Sequence, residues 1–143
     1  MSQTGRVLAL DVGDVRIGVA VTDPTRTIAQ PVEVYRRIGY GPDGAHIVAL
    51  CEQYGTRDVL LGLPLNMDGT RGGQAEKAAA FGDVLAQKGL QVAYWDERMT
   101  TLTAERVLIA GGVRREDRKL HVDKLAATVI LEQWLAAGGK MEH

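Results

Sequence analysis

Five runs of apolar residues along the chain have the length and composition of β-strands. Leucine, valine and isoleucine dominate them, and segments rich in glycine, proline, asparagine or aspartate separate them. The predicted strands span Arg6–Asp11, Ile17–Asp23, Pro31–Arg37, Asp58–Leu63 and Gln91–Glu97. Only the short segment VGDVR separates the first two, so these are expected to form a hairpin, and the third strand follows as a further antiparallel neighbour.

Apolar residues at helical spacing predict four helices after the third strand. They run from a cap at Asp43 to Tyr54, over Gln74–Lys88, from a cap at Thr100 or Thr101 through Ile109, and over about Val122–Ala137. A helix that joins two neighbouring strands makes them parallel. The sequence therefore predicts an α/β fold, with a five-stranded mixed sheet of three antiparallel and then two parallel strands and helices on both faces.

The composition is that of one globular domain over residues 1–143. Hydrophobic residues make up 45% and charged residues 24%, and no apolar run has the length of a membrane span. The N-terminus leads into the first strand without the pattern of a signal peptide. The single cysteine, Cys51, excludes an intramolecular disulfide and fits a reducing compartment. We expect a cytoplasmic protein with no membrane association.

The distribution of charge is more informative than the net charge of −1, which counts mildly against a typical nucleic-acid-binding protein. The segment RREDRKLHVDK, residues 114–124, has five positive and three negative residues, and Arg36 and Arg37 form a second, smaller cluster. Taken alone, each stretch is most simply a solvated charged face.

An acidic residue stands at the end of the first predicted strand. Asp11 directly follows VLAL, and a carboxylate at the end of a buried strand is costly unless it is paired, hydrogen-bonded or bound to a metal. Hydrogen bonds to turn amides are the simplest explanation. Gly13 and Gly18 leave space around Asp11, which suits the approach of another backbone or of a phosphate.

Adjacent acids end the fifth predicted strand. Asp96 and Glu97 should point to opposite faces of the sheet, so only one of them can readily join Asp11. Arg98 is a possible partner for the other. Two solvated acids in a turn are the simpler alternative.

Asp123 stands at the head of an apolar stripe on the last predicted helix. Ala127, Ile130 and Trp134 follow it at the spacing of one helical face, so Asp123 should point towards the sheet edge. A favourable interaction with the helix dipole is the simpler explanation. His121, two residues earlier, is left open as a metal or phosphate ligand.

Asp11, Glu97 and Asp123 come from distant segments, and each can reach the same edge of the sheet. Oxygen ligands suit Mg²⁺ or Mn²⁺, and two such ions about 3.5–4 Å apart can activate water for phosphodiester cleavage. Nearby basic residues that can hold backbone phosphates are Arg16, Arg98, Arg114, Arg115, Arg118, Lys119 and Lys124. The loop NMDGTRGG either offers amides and Arg71 to a phosphate or is a plain turn.

Four segments resemble, in order, the conserved blocks of the YqgF (RuvX) family. They are LALDVGDVRIGVAVTD, LLGLPLNMDGTRGGQA, DERMTTLTAERVL and VDKLAATVILEQWL, and the resemblance covers the chain from about Arg6 to Leu135. That family is similar to the Holliday junction resolvase RuvC and has an RNase H-like fold. The resemblance implies a small cytoplasmic nuclease that matures the 5′ end of pre-16S ribosomal RNA or resolves Holliday junctions.

The resemblance also implies roles for individual residues. Asp11, Glu97 and Asp123 match the catalytic acids, which are expected to hold two Mg²⁺ or Mn²⁺ ions. Matching positions expected to contact the substrate or orient the acids are Arg16, Asn66, Arg98, Thr100 and Lys124. The chain departs from the pattern at Val15, where family members often carry a second basic residue, and this departure weakens one expected backbone contact.

Two other protein classes share parts of this pattern. Actin-type and Hsp70-type ATPases, with sugar and acetate kinases, also open with an Asp-x-Gly hairpin on an RNase H-like core, but they need two such cores. A non-catalytic RNA-binding or ribosome-assembly factor would be expected to lack one of the three acids. This chain has a single core and retains all three acids, which favours the nuclease.

Within the nuclease class the substrate determines the assembly that is required. A junction resolvase must cut two strands symmetrically and needs a two-fold dimer, whereas an RNA-trimming enzyme can act as a monomer. The sequence shows no obvious dimer surface, which favours RNA. The expected partners are nucleic acid, either pre-rRNA or branched DNA, and ribosomal precursor particles, with the protein as a monomer or a homodimer.

Overall fold

The structure is a computed structural model that describes residues 5–66, 68–96 and 115–139, with side chains from residue 126 onward in the last range. Its strands are β1 Leu8–Val12, β2 Arg16–Thr22, β3 Ala29–Arg36, β4 Asp58–Leu63 and β5 Gln91–Asp96. Its helices are α1 Tyr40–Tyr54, α2 Gly73–Gln87 and α3 Arg115–Ala136. The helix predicted from Thr100 to Ile109 lies outside the described residues.

The strands form one five-stranded sheet in the order β3-β2-β1-β4-β5. β1 is antiparallel to β2, and β2 is antiparallel to β3, whereas β1, β4 and β5 are mutually parallel. The predicted mixed sheet is therefore confirmed. Because their three carboxyl ends lie on the same side, the strands β1, β4 and β5 end together at one edge, called here the carboxyl edge.

Helices cover both faces of the sheet, as predicted. On the face covered by α1 and α2, the core includes Leu8, Leu10 and Val12 of β1 together with Phe81 and Leu85 of α2. On the other face, which we call the α3 face, it includes Val7, Ala9, Leu60, Ala93, Ala127, Ile130, Leu131 and Trp134. Alternate residues of β1 thus belong to opposite cores, as the two-residue period of a strand requires.

Helix α1 begins three residues before the predicted cap. Gly39 is its N-cap, and Asp43 lies in its first turn, so the prediction that Asp43 caps the helix is wrong. The Asp43 carboxylate instead reaches back and accepts hydrogen bonds from the backbone N–H groups of Ile38 (2.8 Å) and Gly39 (3.3 Å). The Asp43 carboxylate thus pairs with N–H groups that precede the helix. At the other end, Gly55 ends α1 in the left-handed conformation (φ 68°), as predicted.

Asp43 is fully buried and forms an ion pair that braces the β1–β2 turn. Its carboxylate lies 3.0 Å from Nε of Arg37, and Arg37 donates a second hydrogen bond of 2.9 Å to the carbonyl of Gly13. Burial raises the pKa of Asp43, but hydrogen bonds from Ile38, Arg37 and Gly39 outweigh burial, so the pKa lies below its ordinary value. Of the two residues in the Arg36–Arg37 cluster, Arg37 therefore has a structural role.

Arg26 braces the opposite edge of the sheet. It has a left-handed backbone conformation (φ 57°), which costs a residue other than glycine about 1 kcal/mol. Its guanidinium donates to the Gly5 carbonyl (2.8 Å) and the Asp58 carboxylate (2.7 Å) and lies 5.9 Å from the ring centre of Trp134. Arg26 thereby ties the β2–β3 turn to the start of β4 and to the last turns of α3.

Other predictions for individual elements have mixed outcomes. Helix α3 begins at Arg115 rather than at about Val122, so residues 115–124 of the charged segment are part of the helix. His46 has a structural role: its Nε2 lies 2.7 Å from Glu33 Oε2, and its ring stacks on Tyr35 with the ring centres 4.1 Å apart. Among the described residues, no helix has both the length and the apolar character needed to cross a bilayer.

Arg26→Ala should lower the free energy of unfolding by about 3 kcal/mol, because it leaves the nearly buried Asp58 carboxylate without its partner. Urea denaturation would measure this change. Arg57→Ala is the matched control, since Arg57 is exposed and lies one residue from Asp58. Equal stability of the two variants would show that Arg26 is not a brace.

Asp43→Asn should lower the stability at neutral pH by about 3 kcal/mol, because the Arg37 charge loses its buried partner. A carboxyl whose pKa is depressed in the folded state stabilises fully above its unfolded pKa of about 3.9, and this contribution is lost as the pH falls through the folded value. The gap between the parent and Asp43→Asn should therefore shrink below about pH 4. Urea denaturation across this range tests it, with the exposed Glu52→Gln of α1 as a control; a gap independent of pH would contradict the prediction.

Candidate active site

Asp11 lies at the carboxyl edge on the α3 face of the sheet. Val7 and Ala9 of the same strand pack in the core beneath α3, and the two-residue period puts Asp11 on that side as well. Asp11 is half-buried, in contrast to the fully buried residues that precede it in β1. The strand thus brings a carboxylate to the point where its helical cover ends.

The positions beside Asp11 in the sheet are glycines. Gly18 of β2 is its direct cross-strand partner, and the parallel register that pairs Leu10 with Leu61 brings Gly62 of β4 alongside it on the other side. Neither neighbour has a side chain, so within the sheet no Cβ flanks Asp11. The row continues to Trp95 of β5, which pairs with Gly62 and packs on the α3 face.

Helix α3 runs from the carboxyl edge towards the edge braced by Arg26. Trp134 near its end contacts Arg26, and Ala127 and Ile130 pack on the sheet between the two edges. Asp123 lies eleven positions before Trp134, roughly 16 Å along the helix, and the extended chain covers about the same distance from Arg6 to Asp11. The helix is therefore long enough for position 123, four residues before the buried Ala127, to reach as far as the end of β1.

Asp96, the last residue of β5, lies on the face of the sheet opposite to Asp11. Ala93 and Trp95 belong to the α3 face, and Val92 and Tyr94 belong to the opposite face, so the exposed Asp96 lies on the side away from Asp11. This agrees with the prediction that only one of the two adjacent acids can join Asp11. Glu97, the predicted catalytic acid, lies outside the described residues.

The predicted substrate-binding residues fall into three groups. Arg98, Thr100 and Arg114 lie outside the described residues. Arg115, Arg118, Lys119 and Lys124 lie in the first turns of α3, whose course the structure gives without their side chains. Arg16, Asn66 and Arg71 are described, and all three lie near the carboxyl edge, at the start of β2 and in the loop after β4.

Arg16 lies on the same face as Asp11, two positions along β2 from its glycine partner. Arg16 pairs across the sheet with Arg36 of β3, as Gly18 pairs with Val34. Cross-strand partners point to the same face, so both guanidinium groups belong to the side of the sheet that carries Asp11. They stand about 7 Å from the Asp11 row along the strand direction.

Asn66 organises the loop that follows β4. Its side-chain amide donates to the Thr70 hydroxyl (3.0 Å), and its backbone N–H donates to the Thr70 carbonyl (2.8 Å). Asp68 accepts from both the backbone and the hydroxyl of Thr70. This turn fixes the part of the loop that leads to the exposed Arg71 and to Gly72, which is the N-cap of α2. A substrate contact by Asn66 stays a prediction.

The tip of the β1–β2 hairpin is fastened to helix α2. Asp14 accepts hydrogen bonds from Gln74 Nε2 (2.7 Å) and Lys77 Nζ (3.1 Å). Both hydrogen bonds lower the pKa of Asp14, and the one from Gln74 has the larger effect. With the Arg37–Gly13 hydrogen bond, they hold both sides of the corner that follows Asp11.

The donor chemistry at the carboxyl edge fits a hard divalent cation. Asp11 is half-buried at the strand end, and its cross-strand neighbours add no side chain next to its carboxylate, whose oxygens are ligands of the kind that Mg²⁺ or Mn²⁺ prefers. Among the described side chains, no three acidic, histidine or cysteine residues form a cluster suited to a metal. Of the three predicted ligands, only Asp11 has a described side chain.

Sequence patterns missed three features of this site. Gly62 could have been singled out, because a glycine inside the apolar strand DVLLGL marks a place of close approach. The ion pair of Arg37 with Asp43 had no comparable signal, because its partners belong to different elements. Trp95 was missed as well: its buried indole Nε1 has no hydrogen-bond partner among the described residues.

Comparison with solved structures identifies the fold. RuvC of Thermus thermophilus in complex with a Holliday junction substrate superposes with a TM-score of 0.59 at 16% identity, covering 94% of this chain and 96% of that one. A second structure of T. thermophilus RuvC gives 0.56 at 14% identity, with coverage of 93% and 96%. The likeness concerns the fold, which is RNase H-like as the resemblance implied.

Sequence relatives extend over nearly the whole chain. A protein of Caldanaerobacter subterraneus named "Putative pre-16S rRNA nuclease" is 47% identical over 132 residues, which cover 91% of this chain and 95% of the relative. A protein of Lactococcus lactis with the same name is 46% identical, with coverage of 92% and 94%. The profile of the family RuvX, described as Holliday junction resolvase, matches residues 5–137. With this match and these relatives, the chain belongs to the RuvX family.

Proposed function

We propose that this protein is a metal-dependent endonuclease that hydrolyses phosphodiester bonds in the 5′-end maturation of pre-16S ribosomal RNA. The observation that carries the proposal is the position of Asp11, a half-buried carboxylate at the carboxyl edge with glycines on both sides. Membership of the RuvX family and the name shared by relatives more than 40% identical support the same activity.

Asp11, Glu97 and Asp123 hold the metal in this proposal. Asp11 lies on the α3 face of the sheet, and the alternation of β5 places Asp96 on the opposite face, so Asp96 is not the acid that joins it. Position 123 belongs to α3, the helix that covers the face carrying Asp11. Mg²⁺ or Mn²⁺, as a two-ion site, supplies Lewis-acid activation of water and neutralises charge on the phosphate. In-line attack of water on phosphorus breaks the P–O3′ bond, leaving a 5′-phosphate and a 3′-hydroxyl.

The basic residues around the carboxyl edge hold the substrate backbone. Arg16 stands about 7 Å from the Asp11 row on the same face, and Arg71 is exposed in the adjoining loop. Further backbone contacts are assigned to Asn66, Arg98, Thr100, Arg114, Arg115, Arg118, Lys119 and Lys124. Such contacts fix the position of the strand without reading its sequence, so binding should weaken steeply with salt.

A Holliday junction resolvase is the second candidate function. The family description and the fold shared with RuvC favour it. A resolvase needs two active sites related by a two-fold axis and therefore has to act as a dimer. The relatives carry the rRNA name instead, and this favours RNA.

We also propose that residues 1–143 act as one domain in the cytoplasm. All described helices pack on the two faces of one sheet, so the described residues form one domain around that sheet. The free thiol of Cys51 is buried, and burial raises its pKa to about 11, so it stays protonated and unreactive. Such a thiol is compatible with a reducing compartment.

Asp11→Asn should abolish Mg²⁺- and Mn²⁺-dependent cleavage, with a loss on the order of a thousandfold or more, because it removes a charged metal ligand. The fold and nucleic-acid affinity should persist, as circular dichroism and fluorescence anisotropy would report. Asp83→Asn, an exposed position on α2, is the control and should cleave like the parent. Equal cleavage by Asp11→Asn and the parent would refute the assignment.

The substrate is tested with a labelled pre-16S 5′-leader RNA and a four-way DNA junction offered side by side. We expect metal-dependent cleavage of the RNA alone, lost in Asp11→Asn. Symmetric cleavage of the junction would establish the resolvase and require a dimer, which sedimentation would detect. Binding of the RNA without cleavage at any Mg²⁺ or Mn²⁺ concentration would indicate a non-catalytic assembly factor.

A further inference from the structure

The ends of β2 and β3 place two arginines directly opposite each other at the carboxyl edge. Arg16 is the first residue of β2, Arg36 is the last residue of β3, and the two are cross-strand partners. Because β3 runs in the same direction as β1, its carboxyl end lies at the same edge of the sheet as that of β1. We call Arg16 and Arg36 the arginine pair.

Both members of the arginine pair lie on the α3 face of the sheet. In β2, Ala20 belongs to the core on the α3 face, and the two-residue period puts Arg16 on the same face. In β3, Tyr35 packs against the core on the opposite face, so the next residue, Arg36, lies on the α3 face. The two assignments are independent, and both place the pair on the face that carries Asp11.

The neighbouring Arg37 has a different environment from Arg36. The Arg37 guanidinium is held by the buried carboxylate of Asp43 and by the Gly13 carbonyl. Arg36 is exposed, and within the described part of the chain no carboxylate lies at ion-pair distance from it. Of these two adjacent arginines, Arg37 therefore stabilises the turn, whereas Arg36 presents its charge to the solvent at the carboxyl edge.

The chemistry of the arginine pair favours an anion as its ligand. Like charges directly opposite each other on neighbouring strands lower the stability of a sheet, and an anion bound between them replaces repulsion with attraction. A guanidinium group binds two oxygens of a phosphate at once, which a point charge such as an ammonium group cannot do. The pair therefore suits a phosphate-bearing ligand better than a neutral or cationic surface.

The arginine pair is near enough to Asp11 to bind the same nucleic-acid strand. Arg16 lies two residues along β2 from Gly18, the partner of Asp11, which corresponds to about 7 Å. The strand β3 lies two strands from β1, about 10 Å across the sheet, so the Cα atoms of Asp11 and Arg36 are about 12 Å apart. Each strand of a duplex carries a phosphate about every 3.4 Å along the axis, so 12 Å corresponds to a few nucleotides.

We infer that Arg36, together with Arg16 opposite it, binds a backbone phosphate of the substrate a few nucleotides from the phosphate that is cut. The inference rests on the proposed nuclease function and adds the path of the substrate, which runs from Asp11 across β2 to the end of β3. Because the contact is to phosphate, it positions the strand without reading its sequence.

The test measures the affinity of a labelled pre-16S 5′-leader RNA by fluorescence anisotropy at about 50–200 mM salt, in the Asp11→Asn background so that no RNA is cut. Arg36→Gln removes one phosphate contact, so the slope of log affinity against log salt should become shallower by about 0.7–0.9. Affinity at the lowest salt should fall about tenfold, as expected for the loss of one charge-assisted hydrogen bond. Arg57→Gln is the matched control: it removes the same charge at an exposed position before β4, at the opposite edge, and should change neither quantity.

Two further variants separate binding from folding. Arg36→Glu places opposite charges on the paired positions, which favours the sheet, and repels phosphate. It should therefore unfold at the same urea concentration as the parent or a higher one, and bind RNA more weakly than Arg36→Gln. Arg36→Lys keeps the charge but not the two-point contact, so it should retain the salt dependence and bind with an affinity between those of the parent and Arg36→Gln.

Three outcomes would each overturn the inference. Unchanged affinity and salt dependence in Arg36→Gln, with RNA cut normally when Asp11 is retained, would remove the phosphate contact and leave the nuclease proposal standing. A lower urea midpoint for both Arg36→Gln and Arg36→Glu, with unchanged RNA affinity, would show that Arg36 pairs with an acidic residue of the chain itself. Failure of the parent to bind any RNA or DNA strand would remove the nuclease proposal as well.

Discussion

Burial of β1 on both sides is the constraint on which the rest of the structure depends. Leu8 and Leu10 pack beneath α1 and α2, and Val7 and Ala9 pack beneath α3, so no position before the strand end can hold a charge without a large desolvation cost. Asp11 is the first position at which the cover opens. The same two-sided burial requires α3 to run along the sheet, which brings its N-terminal half to that edge.

Polar interactions rather than apolar packing hold the turn that follows Asp11. The buried Asp43–Arg37 pair extends from the first turn of α1 to the Gly13 carbonyl, and Asp14 bonds to two residues of α2. A buried ion pair adds little net stability, because desolvation offsets most of its attraction, but it tolerates few alternative geometries. These polar interactions therefore fix the geometry of the turn more than they add to the stability of the fold.

Local chemistry explains which parts of this architecture the sequence could predict. The strands were found because each is an apolar run between turn residues, as in Asp58–Leu63, whose bounds agree with the structure. The start of α1 was missed because GYGPDG has the composition of a loop, although proline fits a first helical turn, where its missing N–H has no intrahelical acceptor. The start of α3 was missed because residues 115–121 have no apolar stripe. For the site, the sequence predicted the edge and Asp11, but the β1–β4 register that brings Gly62 beside Asp11 cannot be read from two apolar runs.

The absence of side chains beside Asp11 in the sheet depends on this register. Glycine within a strand costs roughly 0.5–1 kcal/mol relative to alanine, and the sheet has one on each side of Asp11. Central strands with two apolar faces can bear that loss, whereas an edge strand such as β3 has fewer compensating contacts. A Cβ at either position would stand next to the carboxylate, which is the proposed ligand of the metal ion. Bulky side chains return only at the ends of the row, at Val34 and Trp95, so the sheet itself limits the width of the site to about the three strands β2, β1 and β4.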